Sequence, residues 1–298
     1  MEQKASITAL MSAFGRAYHA ENAKDPIFFD SMAKELMAQA EYSMIASYIL
    51  SGIDFFAPEM KGMFPDDRAA LEYLVNTQIA PTPLARAAFC EELLGRSDCC
   101  QYVILGAGMD TFAFREPEYL SRCEVFEVDH PLTQEDKKAR IARAGRTLPQ
   151  KLHFVPMDFT KDDLCRQLLS CGFDPAKKTF FSWLGVSMYL EKSAIEATLR
   201  SLAKLSAPGS LLAFDYADEG LLTSDVKRVK NMLAMAQAGG EAMKPGFDKE
   251  ELTALLDRCG FELCEHLSRD EIQARYFADR SDALSAFEHI SYACAERI

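Results

Sequence analysis

Apolar positions in the first hundred residues recur at intervals of three and four, the period of a helix with one buried face. Segments 6–20 and 28–50 carry this period. Gly52, Pro58, Gly62 and Pro65 then mark an irregular connection. The period resumes over 67–77 and 84–94, two segments parted by Pro81 and Pro83 and closed by Gly95. From residue 101 the pattern changes to short apolar runs of strand length: Gln101–Leu105, then 123–128, 151–155, 179–184 and 210–216. Each is followed by a helical stretch. Thr160 is placed to cap one whose apolar face is Leu164, Leu168 and Cys171, with Gly172 at its end. Ile195, Leu199 and Leu202 stripe another, and Asp248 with Glu251 forms a capping pair ahead of Leu252, Leu255, Leu256 and Cys259. Two last strands are expected at 261–268 and 289–295, with no clear crossover helix between them.

Alternating strand and helix predicts a mostly parallel sheet covered on both faces through right-handed crossovers. The expected class is α/β: a doubly wound, seven-stranded, Rossmann-like sheet with one antiparallel strand in its terminal pair. An N-terminal helical extension precedes it. Residues 1–98 are expected to form that cap and residues 99–298 the core, with a helical insertion near 219–247. Ligands of such sheets lie at the carboxyl ends of the strands, where the strand order reverses.

Composition narrows the classes. The 298 residues are 49% hydrophobic and 26% charged, too apolar for a disordered chain. A net charge of −12 argues against nucleic acid as a partner, since phosphate binding needs a basic face. The uncharged stretches 42–53 and 179–190 fall short of the roughly 20 apolar residues of a membrane span. Met1-Glu2-Gln3-Lys4 leads into an amphipathic stretch and does not read as a secretion signal. Nine cysteines without a C-x-x-C pair, and five scattered histidines, predict free thiols in a reducing cytoplasm and no metal site. The cluster Lys137, Lys138, Arg140, Arg143 and Arg146 reads as a solvated helix face.

The residues after the strands carry the chemistry. Gly106-Ala107-Gly108 follows the first strand, where paired glycines allow a sharp turn and close approach of a ligand to bare backbone. A third fingerprint glycine is missing, and no Lys-Ser/Thr follows to make a nucleotide P-loop. Asp129 lies 23 positions beyond Gly106, close to the spacing at which an acid meets ribose hydroxyls; capping the next helix is the competing role. Glu127 is a second acid nearby. His130 suits stacking on an adenine or a plain solvated loop. Asp158-Phe159 ends the third strand, where the acid is placed to accept from an adenine amino group.

Together these sites give the resemblance. Val103-Ile104-Leu105-Gly106-Ala107-Gly108-Met109-Asp110-Thr111-Phe112-Ala113-Phe114-Arg115, Phe126-Glu127-Val128-Asp129-His130-Pro131, Asp158-Phe159 and Trp183-Leu184-Gly185-Val186-Ser187-Met188-Tyr189-Leu190 resemble class I S-adenosylmethionine-dependent methyltransferases. The closer likeness is to the leucine carboxyl methyltransferase family, with its polyketide-type O-methyltransferases. Ser6-Ile7-Thr8-Ala9, Arg16-Ala17 and Asp25-Pro26 are similar to that family's N-terminal segment. The resemblance, over roughly residues 6–216, implies S-adenosylmethionine as cofactor and S-adenosylhomocysteine as product. It implies Arg86 on the methionyl carboxylate, with Gly106, Ala107, Gly108, Asp110, Asp129, His130, Asp158, Phe159 and Ser182 completing the cofactor site. Where the family usually carries a Glu for the cofactor's amino-acid end, this chain has Leu184, so Ser182 or a backbone carbonyl is expected to meet the ammonium.

The implied reaction is methyl transfer to a carboxylate or hydroxyl of a small molecule. No His/Asp or Cys/His pattern announces a general base, so no catalytic residue is assigned, and a carboxylate or acidic phenol is the favoured acceptor. Tyr18 and His19 are candidate substrate contacts on the roofing helices. The Met-rich stretch 221–245 suits either a lid over an apolar substrate or core packing. Two other classes share some of these features: an NAD-dependent oxidoreductase, and a diverged, non-enzymatic binder of an adenosyl ligand. The first normally adds Tyr-x-x-x-Lys, whereas Ser193 follows Tyr189 at that spacing. Oligomeric state is not legible.

Overall fold

The computed structural model describes residues 7–159 and 161–298. Seven strands form one sheet: β1 (Gln101–Leu105), β2 (Glu124–Asp129), β3 (Leu152–Pro156), β4 (Thr179–Trp183), β5 (Leu211–Ala217), β6 (Phe261–Leu267) and β7 (Ile290–Arg297). Their order is β3-β2-β1-β4-β5-β7-β6. β7 pairs antiparallel with both β5 and β6, while the first five strands pair in parallel. The order reverses between β1 and β4, so the predicted ligand crevice lies above those two strands.

Six helices precede the sheet: α1 (Ile7–Asn22), α2 (Ser31–Glu35), α3 (Gln39–Ser51), α4 (Ile53–Phe56), α5 (Asp67–Leu74) and α6 (Pro81–Arg96). The later connections carry α7 (Phe112–Arg115), α8 (Pro131–Arg143), α9 (Leu164–Ser170), α10 (Lys192–Leu205), α11 (Lys227–Ala238), α12 (Lys249–Cys259) and α13 (Arg269–Tyr276). Every residue of β1 and β4 is buried, as continuous apolar strands of a doubly covered sheet require. Alternate side chains feed two cores. Tyr102 and Phe180 join Phe14, Ile49 and Phe89 of the N-terminal helices, whereas Val103 and Phe181 join Leu199 and Leu256 on the other face. Among the described residues no helix is long and apolar enough to cross a membrane.

Several local expectations are corrected. The continuous helix over 28–50 is two, because the Leu36 carbonyl at the end of α2 is taken by Arg140 (3.3 Å) and Arg143 (2.9 Å) instead of continuing the helix. Pro81 and Pro83 do not separate helices; they occupy the first turn of α6, where a missing N–H costs nothing. Segment 67–77 continues beyond α5 as one wide π turn, Val75–Ile79. Thr160 and Ser6 lie outside the described residues, and the observed cap of α9 is Asp163, accepting from Arg166 N–H at 2.8 Å.

Of the basic cluster, Lys138, Arg143 and Arg146 are exposed as a solvated face would have them, but Lys137 and Arg140 are buried. Lys137 is 1% exposed and bonds Glu127 at 2.5 Å, and Arg140 reaches Glu41 of α3. Burial pushes the Glu127 carboxyl up to about 7, with Lys137 drawing it back. In the Met-rich stretch, Met232 and Met235 pack against the core, and Met243 is buried.

His19 ends α1 with its Nε2 accepting the Ile27 N–H at 3.0 Å. Burial, helped by Arg280, holds the imidazole down at about 4. The folded chain keeps this ring neutral, while the unfolded chain takes up a proton below about 6.5. The ring's contribution is therefore present above pH 6.5 and lost as pH falls toward 4, a change on the order of 3 kcal/mol. Urea unfolding at pH 7 and pH 4.5 tests this. His19→Gln keeps an acceptor for Ile27 and is expected to lose less stability over that interval than the parent; equal losses would refute the assignment.

Candidate functional site

A cavity of about 580 Å³ lies over the tips of β1 to β4, roofed by α1, α6 and residues 240–244. Its floor is the glycine turn. Gly106 (φ +69°) and Ala107 both donate to the Val128 carbonyl, at 2.8 and 3.2 Å, which folds the chain back over β2. A Cβ on Gly106 would stand 2.6 Å from Val186 Cγ2, so both the left-handed backbone and the space require glycine.

Asp129 ends β2 and lines the cavity. Its Oδ2 accepts from Gly108 N–H at 2.5 Å and its Oδ1 from His130 N–H at 2.6 Å. Burial raises its pKa, and these two N–H groups oppose the rise. It does not cap α8. That role belongs to His130, whose Nδ1 accepts from Leu132 N–H at 3.3 Å. Asp110 Oδ1 turns back on Phe112 N–H at 2.8 Å.

Two wholly buried acids organise the walls. Asp215, inside β5, accepts Arg86 Nη1 at 3.0 Å and Gly185 N–H at 2.6 Å. It thereby holds the Arg86 guanidinium flat against Gly185, where a Cβ would stand 2.5 Å away. Asp30, which caps α2, accepts from Arg16 (2.9 Å), Thr111 (2.8 Å) and Ala33 N–H (3.0 Å), with Arg115 at 3.5 Å. Burial works to raise the Asp30 pKa, and Arg16 and Arg115 outweigh it, leaving the carboxyl below its usual value. Arg16 also donates to the Met109 carbonyl at 2.8 Å, tying α1 to the glycine loop. Glu91 of α6 pairs with Arg115; burial lifts it to about 7 against that arginine's pull.

Eight of the predicted cofactor residues line this one cavity: Arg86, Gly106, Ala107, Gly108, Asp110, Asp129, Phe159 and Ser182. Ser182 Oγ is engaged by the Tyr102 hydroxyl at 3.0 Å. His130 and Asp158 stand beside the cavity without lining it, and the Asp158 carboxylate takes Lys161 at 2.6 Å. Tyr18 and His19 line a separate cavity of about 510 Å³ with Glu72, Asn76 and Arg280. They follow Arg16, the last α1 residue that lines the first cavity, by two and three positions, which turns them onto other faces of the helix. Asp30, Glu91, Asp215 and Glu241 were not anticipated. Asp215 left a signal, a single acid within the apolar run 211–216, where an unpaired charge is not tolerated.

Comparison with known proteins supplies relatives. A model of the leucine carboxyl methyltransferase family matches residues 9–203. A Bacillus subtilis protein described as "Putative S-adenosyl-L-methionine-dependent methyltransferase YktD" is 44% identical over 297 residues, spanning 98% of this chain and 97% of that one. Two solved structures share the fold at low identity. A "putative methyltransferase" from Thermobifida fusca YX has TM-score 0.56 and 16% identity, with 99% of this chain and 95% of that chain covered. A DUF574 family protein from Streptomyces avermitilis has TM-score 0.54 and 15% identity, covering 96% and 97%.

Arg86→Met is expected to destabilise the fold by about 3 kcal/mol, because Asp215 is left buried without its cation. Asp215→Asn in the same chain should recover part of that loss. Urea unfolding of the three variants reads both; a single mutant as stable as the parent would show that the pair does not support the fold.

Proposed function

The chain belongs to the leucine carboxyl methyltransferase family, and we propose that it transfers a methyl group from S-adenosylmethionine to an oxygen of a small molecule. The observation that carries this reading is the order of the strand tips. Phe159 follows β3, Asp129 ends β2, Gly106 follows β1, and Ser182 lies near the end of β4; all four face one cavity. Four neighbouring strands at about 4.8 Å spacing lay these groups out over roughly 14 Å. That succession fits a ligand made of a purine, a ribose and an amino-acid tail.

In this reading Phe159, 38% exposed, offers its ring to the purine beside Asp158. The Asp129 carboxylate accepts from the ribose hydroxyls, and its bonds to Gly108 and His130 N–H hold it in place for that. Arg86, oriented by Asp215, takes the tail carboxylate. In this reading the expected extension over 1–98, whose helices run from Ile7 to Arg96, caps the site over the core expected at 99–298. Held by Arg86, Asp129 and the glycine turn, the cofactor would supply an electrophilic methyl on its sulfonium, the acceptor oxygen forming the O–C bond as the C–S bond breaks and its electron pair goes to neutral S-adenosylhomocysteine. The protein's share is positioning and exclusion of water.

What lines the cavity supports an acceptor that needs no base. Among the described residues no histidine does so. Tyr189, which does, is pushed up to about 12 mainly by burial and is a weak acid there. Glu91 is held by Arg115. A carboxylate acceptor, or an acidic phenol, arrives already ionised and needs no base.

Calorimetry with S-adenosylmethionine, S-adenosylhomocysteine and NAD tests the assignment. The two adenosyl compounds are expected to bind and NAD is not. Asp129→Ala should weaken the adenosyl compounds about 10- to 100-fold, near 1.5–3 kcal/mol. Binding of NAD alone would end the methyltransferase reading, and unchanged affinity in Asp129→Ala would remove the ribose assignment.

A further inference from the structure

The position after β4 where an acid is expected carries Leu184, yet the cavity does receive another carboxylate, from outside the sheet core. Glu241 lies between α11 and α12, on a strap that crosses the cavity at residues 240–244. The strap is pinned on both sides of Glu241, whose own N–H donates to the Ala236 carbonyl of α11 at 2.9 Å. Lys244 N–H donates to the Met188 carbonyl at 2.9 Å, and Phe247 N–H donates to the Ala217 carbonyl at 3.1 Å. Gly246 packs so closely on β5 that a Cβ there would fall 1.8 Å from the Ala217 oxygen. The strap therefore has a defined path, and it delivers the Glu241 carboxylate to the Thr8 hydroxyl, which donates to its Oε2.

The placement relative to Arg86 is what makes Glu241 informative. Thr8 and Ser12 are one turn apart on the same face of α1, about 6 Å along its axis. Glu241 meets the first, and Arg86 Nη2 lies 3.5 Å from the second. Tyr189 lines the same cavity, and its phenol, raised mainly by burial, senses Arg86, Glu241 and Asp215 together. One wall thus presents a guanidinium and a carboxylate side by side, a helical turn apart. An α-amino acid carries the complementary pair, a carboxylate and an ammonium on one carbon. Ser182, the alternative acceptor near the β4 end, already exchanges a hydrogen bond with Tyr102.

We propose that Glu241 is the residue that receives the ammonium of the cofactor's amino-acid tail, reaching it from the strap in place of an acid after β4. This rests on the cofactor reading above and adds a residue to it. It also gives the strap a purpose, since ligand and strap would hold one another.

The test compares two ligands that differ only in the tail, S-adenosylhomocysteine and 5′-methylthioadenosine, by calorimetry on the full chain. Glu241→Gln is expected to weaken S-adenosylhomocysteine about tenfold or more, while 5′-methylthioadenosine binds within about twofold of the parent. Glu241→Asp, which keeps the charge, should regain part of the lost affinity. Unchanged S-adenosylhomocysteine binding in Glu241→Gln overturns the proposal. So does an equal loss of both ligands in both variants, which would make Glu241 a support of the strap alone. If the parent binds neither compound, the cofactor reading itself fails. If the parent binds both and Glu241→Gln matches it, only the role of Glu241 fails.

Discussion

A carboxylate sealed from water must be met by a cation and by hydrogen-bond donors, and this requirement at Asp30 and Asp215 sets the shape of the site. Asp215 issues from the sheet and captures Arg86 from α6. Asp30 issues from the N-terminal helices and captures Arg16 and Arg115. Asp215 thus joins the helical region to the β-sheet, and Asp30 joins it to the turn and short helix that follow β1, by bonds that neither side can release cheaply. The cavity is the space left between these two fastenings.

The glycine loop gains its rigidity from the same arrangement. Arg16 spans from Asp30 to the Met109 carbonyl, while Asp129 takes the Gly108 N–H from the opposite side. The loop is held between an arginine of α1 and an acid of β2, so its backbone is already in position before any ligand arrives. A site whose polar groups are fixed in advance has little reorganisation left to do, which suits a reaction that depends on placement more than on proton transfer.

Most of the sheet was legible because buried parallel strands are predominantly apolar. Gln101–Leu105 is one such run, and its ends coincide with the strand. The glycine turn and Asp129 were legible because their spacing follows from the geometry of one strand-turn-helix unit. What escaped depended on contacts between distant segments. Nothing local distinguishes Lys137, buried against Glu127, from Lys138 beside it. The break between α2 and α3 is made by arginines a hundred positions away. Nothing in the sequence singles out Glu241, because only the folded strap brings it to Thr8. Tyr18 and His19 were placed on the correct helix but lie on faces of it that do not share the cavity.

Hydrogen–deuterium exchange with and without S-adenosylhomocysteine examines the convergence of these segments most directly, since it reads the backbone of every strand tip at once. Protection is expected to rise together at residues 8–12, 106–111, 129–131 and 157–159. Protection confined to residues 18–25 and 275–282, around the second cavity, would contradict it.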